Sequence, residues 1–347
     1  MAATAESALL TLGDFQEAQR RIRGVAVRTP LVRLSAPGLE GAEVWVKAEG
    51  LQPIGSFKLR GAYNKIAQLS PEERSRGVIT YSSGNHAQGV AYAARAVGAK
   101  AVIVMPANAP ETKKRATAAL GAEIVEVGPA SSERRLRAEE LAAAHGYVII
   151  PPYDDDQIIA GQGTCGLEIV EDLPGVDLIL APVSGGGLLS GVAAAVKHAN
   201  PAVRVIGVEP ELAGDAQESF RAGRLITWSA ERTSRTLCDG LRTQSLGERN
   251  FQHIRAYVDD IVTVAEAEVR AAIRVLLFNG RLTPEPSGAV TTAAMLFHRH
   301  ELLPFQRAAL IMSGGNVEPE LLAAILNSAA DESSPVRPPS AAFQGKP

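Results

Sequence analysis

A lysine among apolar and small residues is the first group in this sequence that could do covalent chemistry. Lys58 lies in residues 55–61 (GSFKLRG), next to Phe57, at the predicted start of a helix. Removal from water lowers the pKa of a lysine amine, and the neutral amine attacks carbonyl carbons. An isolated lysine is more often a solvated surface residue, so this interpretation needs support from elsewhere in the chain.

Two further segments place glycines and small polar residues between a predicted strand and a predicted helix. Residues 81–89 read YSSGNHAQG, with Ser83 as the expected N-cap of the helix, and residues 183–188 read VSGGGL. The unpaired backbone N–H groups at such a helix start bind anions, and glycine lets them approach a phosphate closely. Both segments are therefore candidate anion sites.

Each of these turns also has a simpler interpretation. Residues 81–89 could be a capped helix and nothing more, with His86 as a structural residue because no carboxylate is available to orient it. Gly185, Gly187 and Ser190 nearly match the GxGxxG fingerprint, and Glu209 falls near the position of a ribose-binding acid. On this segment alone an NAD-binding dehydrogenase stays open.

The lysine and the two anion sites taken together favour pyridoxal phosphate (PLP). An amino acid held on PLP presents two anions, the cofactor phosphate and the substrate carboxylate, beside one imine carbon. A dehydrogenase has no use for Lys58 or for a second anion site.

The elements that must position these residues alternate along the chain. Apolar, β-branched runs predict strands at 78–81, 101–105, 124–127, 147–150, 178–183, 203–208 and 309–312, and helical patterns include 132–145, 188–198 and 266–278. Such alternation predicts parallel sheets covered by helices. We expect residues 1–68 and 152–330 to form a large domain, 69–151 a smaller inserted domain, and 331–347 a disordered tail.

Four motifs resemble one family. Residues 55–61, 82–88, 184–188 and 313–316 (SGGN) resemble the serine/threonine dehydratases and serine racemases among the fold-type II PLP enzymes. The resemblance implies an α/β fold like the β subunit of tryptophan synthase, with two open parallel-sheet domains and the active site between them.

The same resemblance implies a role for each motif residue. Lys58 carries PLP as a Schiff base, Phe57 packs near the ring, and Asn85 bonds the ring's 3-hydroxyl oxygen. The other implied contacts are the substrate carboxylate at Ser82, Ser83, Gly84, Asn85 and His86, the phosphate at Ser184, Gly185, Gly186, Gly187 and Leu188, and the pyridine nitrogen at Ser313. A neutral hydroxyl at that nitrogen delocalises less charge into the ring than a carboxylate would, which suits β-elimination.

A short acidic stretch, residues 209–215 (EPELAGD), could bind a divalent cation. Carboxylates and a carbonyl suit a hard ion such as Mg2+, Mn2+ or Ca2+. The alternative is a solvated acidic loop. The racemase-like members of the family place a cation on such a spacing, which Glu209, Ala213 and Asp215 reproduce.

Composition and cysteine content limit the kinds of partner and the cellular compartment that we expect. Acidic residues (38) barely outnumber basic ones (35), which favours neither nucleic acid nor a membrane surface. Cys165 and Cys238 lie far apart, as expected in a reducing compartment, and the N-terminus lacks the pattern of a signal peptide. We expect a cytoplasmic homodimer or higher homo-oligomer.

These observations predict an ammonia-lyase that eliminates water from L-threonine or L-serine. Three alternatives stay open, namely an amino-acid racemase with Ser83 as the second proton donor, a threo-3-hydroxyaspartate dehydratase, and an NAD-binding dehydrogenase.

Overall fold

A computed structural model describes residues 8–82, 84–109, 111–128 and 131–328 of the chain, with backbone only at 131 and 132. The strands in these residues are β1 (Leu31–Arg33), β2 (Glu43–Ala48), β3 (Val78–Tyr81), β4 (Ala101–Pro106), β5 (Glu123–Val127), β6 (Val148–Ile149), β7 (Leu178–Pro182), β8 (Arg204–Pro210), β9 (Asp260–Val264) and β10 (Arg307–Met312).

The α-helices of the described residues are α1 (Leu12–Arg21), α2 (Lys58–Ile66), α3 (Pro71–Arg76), α4 (Asn85–Ala96), α5 (Glu111–Ala119), α6 (Ser131–His145), α7 (Asp156–Asp172), α8 (Gly187–Ala199), α9 (Asp215–Ala222), α10 (Ala230–Thr233), α11 (Glu248–Tyr257), α12 (Glu266–Val275), α13 (Pro286–Phe297), α14 (Arg299–Leu302) and α15 (Pro319–Asn327). Short 3-10 turns cover Glu49–Leu51, Glu211–Ala213 and Asp239–Leu241, and a π-helical turn, Leu276–Gly280, follows α12.

The strands form two sheets. One has the order β1-β2-β10-β7-β8-β9 and the other the order β5-β4-β3-β6. All neighbouring strands are parallel except β1 and β2. Every residue of β4, β7 and all but the first of β10 is buried. Helices on both faces exclude water from such strands, which is why they are continuously apolar.

Three apolar clusters hold the helices on the sheets. One lies between the six-stranded sheet and α12 and α13, a second lies between the same sheet and α7 and α8, and a third joins the four-stranded sheet to α2 and α4. The helix that begins at Lys58 is therefore packed in the core of the smaller sheet. Cys238 is buried in the first cluster, as expected for a packing residue.

The seven predicted strands are all present, to within one or two residues at most ends. Three strands were not predicted, namely β1, β2 and β9. β2 contains Glu43 and Lys47, and these charged residues interrupt the apolar run by which an interior strand is recognised. β1 has only three residues, which is too short for a pattern. The bounds of the two domains stay a prediction, and the predicted tail lies outside the described residues.

The uncharged segment 178–196 forms a strand, a glycine turn and the start of a helix, as predicted. No helix in the described part of the chain is both long and apolar enough to cross a membrane.

Candidate active site

The predicted site segments all follow the carboxyl ends of parallel strands, where open α/β sheets bind ligands. Residues 82–84 follow β3, 183–186 follow β7 and 313–316 follow β10. Ser56 pairs with Gly314 in an isolated β-bridge, and the Phe57 N–H donates to the Ser313 carbonyl at 3.0 Å. These contacts bring the lysine segment and the segment after β10 together.

Lys58 is the first residue of α2. Its Nζ donates a hydrogen bond to the carbonyl oxygen of Pro152 at 2.9 Å and lies 5.2 Å from the centre of the Phe57 ring. Burial lowers the pKa of this amine to about 8, although the nearby charge of Glu285 works in the opposite direction. About a tenth of an amine with this pKa is neutral and nucleophilic at pH 7, far more than of a solvated lysine.

The glycine turn between β7 and α8 cannot carry side chains. Gly186 has a φ of 99°, and a Cβ at Gly185 would lie 2.5 Å from the ring of Tyr153. The Gly185 carbonyl accepts from Gly247 N–H at 3.0 Å and from Nδ2 of Asn250 at 2.9 Å. The backbone N–H groups at the start of α8 lack carbonyl partners within the helix, as at every helix start, and form an anion site.

Ser184 lies at the entrance to this turn. Its Oγ is 2.6 Å from Oγ1 of Thr243 and accepts from Thr243 N–H at 3.2 Å. Residue 184 is a serine and not another glycine. Its hydroxyl hydrogen-bonds Thr243 and so holds the turn against the loop formed by residues 239–243. Thr243 and Tyr153 are neighbours of the turn that no sequence pattern had singled out.

The second anion site is the start of α4. The helix begins at Asn85 with Gly84 at the N-cap and no side-chain cap, so the expectation that Ser83 caps it is wrong. Ser83 itself lies outside the described residues. Gly84 N–H donates to Oγ of Ser82 at 3.4 Å.

The amide of Asn85 has hydrogen bonds at both ends. Nδ2 donates to the two carboxylate oxygens of Glu285 at 2.8 and 3.1 Å, and Oδ1 accepts from Nδ2 of Asn316 at 2.7 Å. Asn316 in turn donates to the Ile54 carbonyl at 2.8 Å. These hydrogen bonds fix which end of the Asn85 side chain is the oxygen and which is the nitrogen. One N–H of Nδ2 is left to donate to a ligand.

Glu285 is a buried carboxyl that the sequence had not singled out. Burial raises its pKa to about 7, and the charge of Asp239 acts in the same direction. It lies at the N-cap of α13, and a Cβ at Gly314 would be 2.4 Å from its Oε1. The only local signal is Pro286, a residue type common at the first position of a helix.

His86 is buried, and its Nε2 is 3.1 Å from the carbonyl oxygen of Ile150. Burial, together with the charge of Lys58, lowers its pKa to about 3, so the imidazole is neutral. A neutral ring that donates through Nε2 has an acceptor at Nδ1, and that atom has no partner in the part of the chain described. This environment agrees with the prediction that His86 is a structural residue and not a catalytic base.

Ser313 directly follows β10 and is 3% exposed. Its Oγ is 3.4 Å from the carbonyl oxygen of Ser287, and its own carbonyl holds Phe57 N–H. The backbone of Ser313 therefore adjoins the lysine segment, and its hydroxyl faces the start of α13.

The acidic stretch brings two buried carboxylates close together, and Arg232 is the cation that acts on Asp215. Glu209 accepts from Gln217 N–H at 2.7 Å and Ala216 N–H at 3.3 Å, so it is not free for a ribose. Burial and the charge of Asp215 raise its pKa well above the usual range. Burial also raises the pKa of Asp215 to about 7, and its buried Oδ2 has no hydrogen-bond partner within the described residues.

Ala213, the third residue of the predicted cation set, is buried in the 3-10 turn before α9. Among the described residues no cluster of three or more His, Cys, Asp and Glu side chains could hold a metal. A cation at the acidic stretch would depend on two carboxylates, carbonyl oxygens and water.

Comparison with known proteins places these features in a family. Residues 22–314 match the family model described as "Pyridoxal-phosphate dependent enzyme". The chain is 44% identical to an L-threonine ammonia-lyase of Thermotoga maritima, over 92% of this chain and 79% of the relative. It is 40% identical to an L-threo-3-hydroxyaspartate ammonia-lyase of Saccharomyces cerevisiae, over 92% and 98%. The structure of maize serine racemase superposes with a TM-score of 0.87 at 36% identity, covering 92% of this chain and 97% of that one.

Proposed function

Because the chain belongs to the family of pyridoxal-phosphate-dependent enzymes, we propose that it eliminates water from a small β-hydroxy amino acid, L-threonine or L-serine. The products are an α-keto acid and ammonia. The observation that carries the proposal is the position of Lys58, a buried amine bonded to the Pro152 carbonyl, next to Tyr153, whose ring packs against Gly185 of the glycine turn. The similarity to the Thermotoga maritima relative, which is named for this reaction, supports it.

The predicted fold class, an α/β fold-type II PLP enzyme, is confirmed. The alternative of an NAD-binding dehydrogenase is wrong. The fingerprint-like glycines belong to a turn in a PLP-dependent enzyme, and Glu209 is bonded to backbone N–H groups of α9.

The residues present fit the cofactor. A turn whose glycines have no room for Cβ atoms suits a phosphate, so we assign the phosphate to Ser184, Gly185, Gly186, Gly187 and Leu188. We assign the 3-hydroxyl oxygen to the remaining N–H of Asn85, the ring face to Phe57 and the pyridine nitrogen to Ser313. When bound, PLP withdraws electrons from the substrate Cα and makes its proton removable.

Lys58 has two tasks in this proposal. Its neutral amine would hold the cofactor, and the same Nζ would take the Cα proton of the substrate and return a proton to the departing hydroxyl. Ser82, Ser83, Gly84, Asn85 and His86, at the start of α4, receive the substrate carboxylate. Because His86 is neutral and buried, it contributes polarity without adding a second base. The substrate hydroxyl leaves as water.

A serine racemase activity would need a proton donor on the face of Cα opposite Lys58. We propose Ser83 for that position, and the similarity to maize serine racemase keeps this activity as the nearest alternative. Both reactions use the same Cα proton removal, so the cofactor contacts do not separate them.

One observation favours threo-3-hydroxyaspartate as a second candidate substrate. Arg134, in α6, is half-buried, its Nε has no partner in the described part of the chain, and burial lowers its pKa. A second carboxylate on the substrate would supply the missing counter-charge. Helix α6 packs on β3, the strand that leads into residues 82–86.

We further propose a divalent cation at Glu209, Asp215 and the Ala213 carbonyl. The charge of Asp215 raises the pKa of Glu209, and Oδ2 of Asp215 has no hydrogen-bond partner within the described residues; a bound cation would remove both penalties. Mg2+, Mn2+ and Ca2+ are the ions expected. A homodimer or higher homo-oligomer stays a prediction, to be measured by sedimentation.

The deciding experiment is a keto-acid release assay on the PLP-loaded enzyme. Serine, threonine and threo-3-hydroxyaspartate are supplied as separate enantiomers. We expect the highest kcat/KM with L-threonine or L-serine. Release from hydroxyaspartate alone would transfer the assignment to the second candidate, and absence of release from all of them would contradict the proposal.

A further inference from the structure

The first turn of α2 directs three consecutive side chains to three different places. Successive residues of an α-helix are about 100° apart. Lys58 contacts the Pro152 carbonyl in the cleft, Leu59 is fully buried in the core of the smaller sheet, and Arg60 is fully buried on the side of the six-stranded sheet. The direction of Lys58 is therefore coupled to the anchors of its two neighbours.

Arg60 is anchored by two carboxylates. Its Nε and Nη2 donate to Glu49 at 2.8 and 2.7 Å, and its Nη1 and Nη2 donate to Glu168 at 2.8 Å each. Nη1 also donates to Oγ1 of Thr164 at 3.1 Å. Glu49 follows β2 of the six-stranded sheet, and Glu168 and Thr164 belong to α7.

Lys47 completes this buried group. Its Nζ donates to Glu168 at 2.7 Å and to the Thr29 carbonyl at 2.6 Å, and its side chain is fully buried. Lys47, Glu49, Arg60 and Glu168 together have two positive and two negative charges. Groups of this kind are costly to desolvate and are retained in some proteins because they fix one geometry, while loss of one partner leaves a buried charge uncompensated.

The same helix is in backbone contact with α7. A Cβ at Gly161 would lie 2.5 Å from Cα of Gly61, and a Cβ at Gly61 would lie 2.4 Å from Nε2 of Gln162. Close approach and the ion group together leave the start of α2 little freedom to shift relative to the six-stranded sheet, which carries the glycine turn and Ser313.

We propose that Arg60 is a positioning residue for the Schiff-base lysine: its bonds to Glu49 and Glu168 set the distance between Lys58 and the cofactor carbon. This inference rests on the proposed role of Lys58. The groups that shift the Lys58 pKa are its own burial and Glu285, neither of them in the ion group. Arg60 therefore acts through geometry and not through its charge.

The experiment compares Arg60→Met with Lys47→Met. Each variant removes one fully buried cation from the same group, but only Arg60 is on the lysine helix. PLP is added to the apoenzyme, and the Schiff base is trapped with borohydride at successive times and across a range of pH. Circular dichroism and melting of the apoenzyme show that each variant is folded at the assay temperature.

We expect both variants to melt at a lower temperature than the parent. Only Arg60→Met should trap the Schiff base slowly, by about 10²-fold, the loss that a misplacement of about 1 Å causes. Its trapping should also require higher pH, because a displaced Lys58 would be better hydrated and its pKa would rise. Equal slowing in both variants, or slowing in neither, would overturn the proposal.

If Arg60→Met does not fold, Arg60→Lys decides, since an ammonium keeps the charge but cannot bind two carboxylates bidentately. Slower trapping is expected, and unchanged kinetics would overturn the proposal. Failure of the proposed function is seen separately, as parent enzyme in which peptide mass spectrometry finds no borohydride label on Lys58.

Discussion

Nδ2 of Asn85 donates to both carboxylate oxygens of Glu285, at 2.8 and 3.1 Å, across 200 positions of sequence. The pair joins α4, which packs on the smaller sheet, to the start of α13, which packs on the larger one. Asn316 donates to the oxygen of the same amide. Only one orientation of the Asn85 amide therefore keeps its hydrogen bonds to both Glu285 and Asn316.

This relationship predicts the behaviour of Asn316→Asp. A carboxylate cannot donate to Oδ1 of Asn85, so the amide oxygen would face an acceptor, and a flip that turns Nδ2 toward residue 316 would carry its N–H groups away from their present position. The cofactor oxygen would lose its donor. We expect PLP to bind about 10- to 100-fold more weakly, the range for one hydrogen bond to a charged group. Equilibrium titration of the apoenzyme with PLP measures this.

The control for that variant is Asn279→Asp, at an exposed asparagine that donates to the Ser35 carbonyl. It makes the same change of charge away from the cleft and should leave PLP affinity unchanged. Equal weakening by both variants would indicate an effect of net charge instead of amide orientation.

Lys58→Ala should retain weak PLP binding through the phosphate turn and lose nearly all turnover, because one amine serves as Schiff-base partner and base. Borohydride should then leave no covalent label. Lys65→Ala, on the same helix and paired with Asp155 at 2.6 Å, should still be labelled. Full turnover by Lys58→Ala would exclude this lysine.

Gly185→Ala should weaken PLP binding, because the new Cβ would meet three atoms of the Tyr153 ring at 2.5 Å. Removal of that ring should relieve the clash, so Gly185→Ala combined with Tyr153→Ala should bind PLP more tightly than the product of the two single effects predicts. Gly13→Ala, whose Cβ would meet only Oγ1 of Thr11 at 3.5 Å, is the neutral control. Strict additivity would show that the ring does not limit the turn.

The acidic stretch predicts that stability falls with increasing pH in the metal-free protein and that a bound cation removes this dependence. The pKa of Asp215 rises from 3.8 to about 7 on folding, so the folded protein binds the extra proton in this interval and loses stability as pH increases through it. The loss is up to about 4 kcal/mol, at 1.36 kcal/mol per pKa unit. A bound cation favours the ionised form and should abolish the loss. Thermal melts at several pH values, with chelator or with Mg2+, Mn2+ or Ca2+, test this.

Asp215→Asn is the matching variant. It should stabilise the metal-free protein at pH 7 and remove the response to cations, whereas Glu211→Gln, at a neighbouring exposed acid of the same stretch, should keep that response. If chelator moves no melting curve and Asp215→Asn is neutral, these buried residues bind no cation.

Ser83→Ala separates elimination from racemisation. If Ser83 protonates Cα, its loss should reduce D-serine formation from L-serine by about 10² to 10⁴, the usual contribution of a general acid, and leave keto-acid release from L-serine largely intact. Chiral chromatography measures D-serine in the same samples as pyruvate. Ser75→Ala, at an exposed serine of α3 away from the site, is the control and should change neither product. More D-serine than pyruvate from the parent enzyme would make racemisation its principal activity.

Local patterns were sufficient for the parallel architecture and for the segments of the site. Strands of continuous apolar residues, turns of glycine and serine, and a lysine at a helix start are each encoded within ten residues, so 178–196 and 55–61 could be interpreted without knowledge of their neighbours. Lys58 at the start of a helix, and the helices that begin after β3 and β7, were therefore predicted.

Glu285, Tyr153, Thr243 and the Lys47–Arg60 ion group were not predictable in this way. Their partners are distant in the sequence, as in Tyr153–Gly185, 32 positions apart, Ser184–Thr243, 59 apart, and Asn85–Glu285, 200 apart; Arg60 bonds both to Glu49, 11 positions away, and to Glu168, 108 away. The sequence does not distinguish a buried charged residue from a solvated one. Only the position of its partner in the structure shows that the cost of its desolvation is compensated. The sequence by itself determined the cofactor-binding segments, because helix starts and glycine turns are local structures. Tertiary structure alone decided which carboxylates lie beside them, because burial and pKa depend on groups that the fold brings together.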